Sequence, residues 1–155
     1  MPLVEAAILI NTKPEVVRQF FLNYHNHQHW NPFIISINKW TNKESKELNI
    51  DDELQIDLRL KGTDNISTFY PRVLENNESE IQWIGCLINS WIFYGLHTFK
   101  FEIVDDDKTL FSQVEIFGGL LSYFFYLFGL YNKTRQSFIE MNEALKDQIE
   151  NKLAE

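Results

Sequence analysis

Two side chains could do acid–base chemistry together in this sequence, His97 and Glu115. An imidazole titrates nearest to neutrality of all side chains, and a carboxylate beside it can orient the ring and exchange a proton with it. They lie far apart in the chain, so only a hairpin brings them together. Trp91 to Val104 and Thr109 to Phe117 both read as strands, and Asp105-Asp106-Asp107 between them reads as a solvated turn. It is not a calcium loop, because the required spacing of oxygen ligands is missing. With the turn centred on Asp106, Ile103 faces Thr109, Phe101 faces Phe111, Phe99 faces Gln113 and His97 faces Glu115. Directly opposed residues share a sheet face. His97, Phe99, Phe101 and Ile103 form the more apolar parity of their strand, so that face is expected to point inward. A slip of one residue would separate the pair.

Three readings of the pair stay open. It could be a buried ion pair that holds the hairpin, since buried charge persists only when paired. It could be a polar anchor for a ligand's carbonyl or hydroxyl in an apolar pocket. It could be a general acid and base, which makes His97 and Glu115 the candidate catalytic residues. No nucleophile, oxyanion nest or metal accompanies them in the sequence, and no cofactor is expected.

Other polar and aromatic signals are weaker. His25, His27 and His29 alternate before Trp30, but a metal needs three or four converging ligands and alternate residues diverge. A polar surface turn is the expectation there, with no metal. Trp83 and Trp91 are inward by parity, as core or as ligand wall. Tyr70 and Arg72 lie on the face opposite Phe69, Pro71 and Val73 and are expected in solvent. Arg135 and Asn142 fall on the apolar stripe of a C-terminal helix, at its edge or at a cavity mouth.

These residues need a scaffold. Val4 to Ile10 alternates as a strand. Thr12 and Glu15 have capping-box spacing around Pro14, and Val16, Val17, Phe20 and Phe21 recur at helical spacing to about Asn23. Tyr24 to Pro32 reads as a second short helix or turn. Strands are expected at Phe33–Ile37, Leu54–Leu60, Ser67–Leu74 and Glu80–Leu87, with a polar connection from Thr41 to Asp52 and turns at Gly62–Asn65 and Asn76-Asn77. After Gly118-Gly119 the period changes to 3.6: Phe124, Phe128, Tyr131, Arg135, Phe138, Asn142, Leu145 and Ile149 mark one helix stripe. Strand, short helices, six strands and a long helix make an α+β chain. It is read as a single domain over residues 1–155, a curved antiparallel sheet of about seven strands wrapped around the helix.

Composition narrows the function. Thirteen Phe against six Gly suit either the walls of a space or a dense core. A net charge of −8 disfavours nucleic acid, whose affinity comes from neutralised phosphates. The single cysteine, Cys86, excludes an internal disulfide and fits a reducing, cytoplasmic setting. No basic, apolar leader opens the sequence. The uncharged run from Ile116 to Asn132 falls short of the ~20 residues a spanning helix needs, so no transmembrane segment is expected. A surface that dips transiently into lipid, or that pairs two copies, fits the same run.

Several short pieces, in order, resemble one family. They are Trp30-Asn31-Pro32-Phe33, Phe69-x-Pro71-x-Val73, Ile81-x-Trp83-x-Gly85, Gly95-x-His97-x-Phe99 and Gln113-x-Glu115-x-Phe117-x-Gly119, then Phe138 to Lys146. Together the chain resembles the START-like (SRPBCC) superfamily in its polyketide cyclase/dehydrase-like branch. The resemblance implies a helix-grip fold with a cavity between the sheet and the C-terminal helix. It also implies a small apolar ligand such as a lipid, isoprenoid or polyketide-like aromatic. The candidate contacts are Trp83, His97, Phe99, Phe101 and Phe111, with Gln113, Glu115, Phe128, Phe138 and Asn142. A cyclase or dehydratase using His97 and Glu115, and an interaction protein whose cavity its own rings fill, are the rival functions. Two departures stand out: Asp51-Asp52-Glu53 where the family often has a glycine, and an unusually aromatic Tyr123–Tyr131 stretch that would narrow or refill the cavity.

Overall fold

The computed structural model describes residues 2–87 and 89–154. Strand β1 (Leu3–Ile10) leads into helix α1 (Pro14–Leu22), a 3-10 turn (Tyr24–Asn26) and the short helix α2 (His27–Trp30). Seven strands follow: β2 (Ile34–Lys39), β3 (Leu54–Arg59), β4 (Ile66–Phe69), β5 (Arg72–Asn76), β6 (Glu80–Leu87), β7 (Phe93–Asp105) and β8 (Lys108–Gly118). A second 3-10 turn (Leu120–Phe124) precedes the long helix α3 (Leu130–Ala154). All pairings are antiparallel, so the α+β helix-grip arrangement holds.

The sheet differs from a single seven-stranded wall. Five strands pair in the order β1-β8-β7-β6-β5, and three pair as β2-β3-β4. The expected Ser67–Leu74 strand divides at Tyr70-Pro71, which gives eight strands in all. Proline has no N–H to give a ladder, so the run breaks there and its halves join different sheets. The sheets stay tied at this corner: Leu54 N donates to Pro71 O at 2.9 Å and Val73 N to Asp52 O at 2.9 Å.

The β7–β8 hairpin has the register expected from its sequence: Ile103 opposite Thr109, Phe101 opposite Phe111, Phe99 opposite Gln113 and His97 opposite Glu115. A bulge between Ile103 and Asp105 absorbs the turn, where Asp105 pairs with Lys108. Phe99, Phe101 and Phe111 are buried and pack with Phe21 of α1, whose ring centroid is 4.6 Å from that of Phe99. On α3, Phe138, Met141, Leu145 and Ile149 are buried at helical spacing, a stripe laid against the core.

Several local expectations are corrected. Helix α1 is capped at Lys13 without any side-chain hydrogen bond, so Thr12 and Glu15 form no capping box. Thr12 instead offers its carbonyl to Thr109 Oγ1 at 2.7 Å. Helix α3 starts at Leu130, because Gly129 adopts φ +69° and breaks the right-handed path. Phe124 and Phe128 therefore precede the helix. Trp91 precedes β7 and is 68% exposed, since strand parity does not extend into the preceding turn. Asp51, at the position where a glycine was expected, has φ +73°, the left-handed backbone that glycine usually supplies.

Candidate functional site

The space enclosed by this fold lies between the two sheets. It is a cavity of about 370 Å³, reached past the exposed Ser67 and Thr68 of β4 and the exposed Cys86 of β6. Phe33 and Ile34, at the entry to β2, and Leu58 of β3 form one wall with Phe69. Trp83 and Gly85 of β6, and Phe93 and Gly95 of β7, form the other. His97 of β7, with Glu115 and Phe117 of β8, completes it.

No residue of α3 lines this space, so the cavity is not between sheet and helix as expected. The rings under the helix fill that position. Phe138 is fully buried, stacks on His97 (4.9 Å) and packs at a tilt against Phe33 (5.6 Å), closing the inner end.

The two glycines of the wall have specific reasons. A Cβ at Gly85 would come 2.9 Å from the Phe69 ring, and one at Gly95 would come 2.8 Å from Glu115 Oε1. Gly85 thus leaves the floor on which Phe69 rests. Gly95 leaves the recess in which the Glu115 carboxylate lies, close enough to reach the imidazole.

His97 and Glu115 meet at 3.2 Å, from Nδ1 to Oε2. Their side chains are 6% and 15% exposed, so the pair is largely out of water. His97 Nε2 faces Gln113 Oε1 at 3.1 Å. Gln113 Nε2 donates to Asn142 Oδ1 at 2.7 Å and approaches Phe138 O at 3.4 Å. A backbone carbonyl can only accept, which fixes the amide orientation. Gln113 Oε1 must then accept, so His97 donates from Nε2, and its Nδ1 faces the Glu115 carboxylate. The relay runs from the cavity wall to α3, where Asn142 Nδ2 is buried without a partner. The imidazole also stacks on Phe99 at 4.1 Å, an apolar clamp that fixes the ring plane.

Of the sequence-derived candidates, Trp83, His97 and Glu115 line the cavity. Gln113, Phe138 and Asn142 sit directly behind His97 and position it. Phe99, Phe101 and Phe111 belong to the packed core. Phe128 is 69% exposed and outside the lining. The Phe33, Leu58 and Phe69 wall escaped sequence reading because it belongs to the second sheet. Gly85, Phe93, Gly95 and Phe117 share the parity of Trp83, His97 and Glu115, so alternation alone could have found them.

A second imidazole supports the wall from outside. His27, expected on a polar surface turn, is fully buried, while His25 and His29 are exposed. His27 Nε2–H donates to Phe21 O at 2.7 Å, and Nδ1 accepts from Asn31 Nδ2 at 3.1 Å. Asn31 Oδ1 in turn accepts from Phe33 N and Ile34 N, at 3.0 and 2.9 Å, which fixes the two lining residues at the start of β2. Burial lowers the His27 pKa to about 4, against a smaller opposing effect of the Phe21 carbonyl. Among the described residues no group of three or more His, Cys, Asp or Glu side chains is placed to hold a metal ion.

Solved structures share this architecture across nearly the whole chain. The Zhui aromatase/cyclase from Streptomyces sp. R1128 superposes with a TM-score of 0.75 at 9% identity, over 98% of this chain and 95% of that one. A START superfamily protein from Mycobacterium smegmatis gives 0.74 at 13% identity, over 96% and 97%. A norcoclaurine synthase point mutant from Thalictrum flavum, in complex with a transition-state analogue, gives 0.68 at 9% identity, over 98% and 96%. No family model matches the sequence, and no curated protein matches it. The chain thus has the START-like helix-grip fold.

Proposed function

We propose that the protein binds one small, largely apolar molecule in the cavity between its sheets, with His97 and Glu115 as the polar contact. The observation that carries this is the lining itself. Aromatic and aliphatic side chains surround a volume within the roughly 300–1,000 Å³ of small-molecule sites, and one buried acid–base pair reaches it from the inner end. Apolar walls supply affinity without direction. The His97–Glu115 pair would orient a ligand hydroxyl or carbonyl. Lipids, isoprenoids and polyketide-like aromatics with one terminal oxygen fit that chemistry. The likeness in fold to an aromatase/cyclase and to a norcoclaurine synthase bound to a transition-state analogue supports an occupied interior.

Displacement of a fluorescent apolar probe tests the reading. Medium-length fatty acids, isoprenoid alcohols and polycyclic phenols should displace it from the wild-type protein. Gly85→Val, which forces Phe69 off its seat, should abolish probe binding while the fold, followed by circular dichroism, survives. Equal probe binding by wild type and Gly85→Val would refute the assignment.

An acid–base enzyme is the second reading, favoured by the exposure of the Glu115 carboxylate to the same cavity. Glu115→Gln separates the two. Loss of turnover with ligand binding retained supports catalysis, and unchanged conversion of bound ligand removes it.

A further inference from the structure

The segment between β8 and α3 forms a cap that the cavity does not explain. Eighteen large apolar or aromatic side chains are exposed among the described residues, and eight of them are Trp91 or lie in residues 120–128. Tyr123 is 79% exposed, Leu127 75% and Phe128 69%, beside Trp91, Leu120 and Tyr126. The cap is a built feature. Gly119 turns into it at φ +89°, where a Cβ would come 2.6 Å from the Ile92 backbone. Leu120 N donates to Trp91 O and Leu121 N to Ile92 O, each at 2.9 Å. Phe125 alone among its rings turns inward, stacked 4.3 Å from Phe117 of the cavity wall. A fold that buries Phe125 while presenting eight large apolar neighbours to solvent concentrates exposed apolar groups at one end, the kind of clustering that marks an interaction surface.

Charge indicates what covers it. Residues 86–99 and 116–139 contain no Asp or Glu, in a chain that has 22. They contain two cations, Lys133 and Arg135, both exposed in the first turns of α3 beside the cap. Glu80 and Glu102, which border residues 86–99 in sequence, lie toward the turn end of the β7–β8 hairpin, opposite Lys100 and Leu110, and the carboxylates nearer the cap are engaged or offset. Glu115 pairs with His97, Glu140 is held by Lys61, and Glu5 of β1 lies opposite Val114, beyond the end of the cap. Exposed charges are screened within about 8 Å at physiological salt, so this end acts as a cationic, apolar surface despite the net charge of −8.

We propose that this end, Trp91 with residues 120–128 and the Lys133/Arg135 rim, seats on an anionic lipid surface. Tyr and Trp match the headgroup level, Leu127 and Phe128 the acyl boundary, and the two cations the anionic lipid. A second copy of the chain fits less well. In a two-fold contact the same patch supplies both sides, so Lys133 and Arg135 would meet no carboxylate to answer them. The proposal is one of peripheral contact, since no described helix is long and apolar enough to cross a membrane. It holds whatever the cavity contains.

Co-sedimentation with phosphatidylcholine vesicles, with and without about one-third phosphatidylserine, tests it. The wild-type chain should partition onto phosphatidylserine vesicles, and less so as salt rises. Leu127→Asp/Phe128→Asp should abolish partitioning, and Lys133→Glu/Arg135→Glu should lower it by about 25-fold or more, at about fivefold per cation. All four positions are exposed, so circular dichroism should show both variants folded. Absence of wild-type partitioning, or equal partitioning by the Leu127→Asp/Phe128→Asp variant, overturns the proposal. So does a dimer in light scattering that the same variant converts to monomer without any vesicle binding.

Discussion

Acidification should destabilise this protein through His27, well away from the acid–base pair in the cavity. His27 is buried with its ring nitrogens between the Phe21 carbonyl and the Asn31 amide, and its pKa falls from the ordinary 6.5 to about 4. Between those values the unfolded chain binds the proton and the folded chain does not. Stability therefore rises with pH across that window. The contribution is complete above the unfolded value and is lost as pH falls through the folded one. A shift of this size corresponds to about 3 kcal/mol, a large fraction of a typical domain's stability. The consequence reaches the site, because Asn31 fixes Phe33 and Ile34 of the cavity wall. Urea denaturation from about pH 7 to about pH 4.5, followed by circular dichroism, measures the slope. The control is His27→Gln, which keeps an N–H for the Phe21 carbonyl but cannot titrate. It should be less stable than wild type at pH 7, yet lose much less between the two pH values. Parallel pH profiles for the two proteins would refute the reasoning.

Three further perturbations follow from the geometry. Gly95→Ala places a Cβ against Glu115 Oε1, so it should cost about 1–3 kcal/mol in urea denaturation and weaken binding of ligands that carry a terminal oxygen. Lys39→Met removes the cation from a buried pair with Asp52, 2.6 Å apart and 4% and 7% exposed. The uncompensated carboxylate should cost about 3–5 kcal/mol in thermal unfolding. Phe138→Ala empties the site between His97 and α3. It should destabilise by about 3–5 kcal/mol and let the binding assay accept longer ligands than the wild type does.

The hairpin that carries His97 and Glu115 was legible because its signals agree. With the acidic turn centred on Asp106, the two strands and the Phe101–Phe111 pair fit one register, and that register is observed. The division into two sheets had a local signal, Pro71, whose missing N–H splits the strand. The position of the cavity had none. It depends on which rings fill the space under α3, and Phe21, Phe99, Phe111 and Phe138 do so through contacts between elements distant in sequence. The burial of His27 was likewise invisible, because alternating histidines look polar until α1 and Asn31 close around one of them. Helix periodicity carried too far, into Phe124 and Phe128, because a stripe of rings continues across Gly129 although the backbone there does not.

The proposed function requires that the space between the sheets takes a guest. Native mass spectrometry of the protein purified from its own host reads this directly. A non-covalent adduct of one small apolar molecule per chain, absent from Gly85→Val prepared in the same way, is the expected result. The bare chain mass for the wild-type protein under the gentlest ionisation, or the same adduct on Gly85→Val, would contradict it.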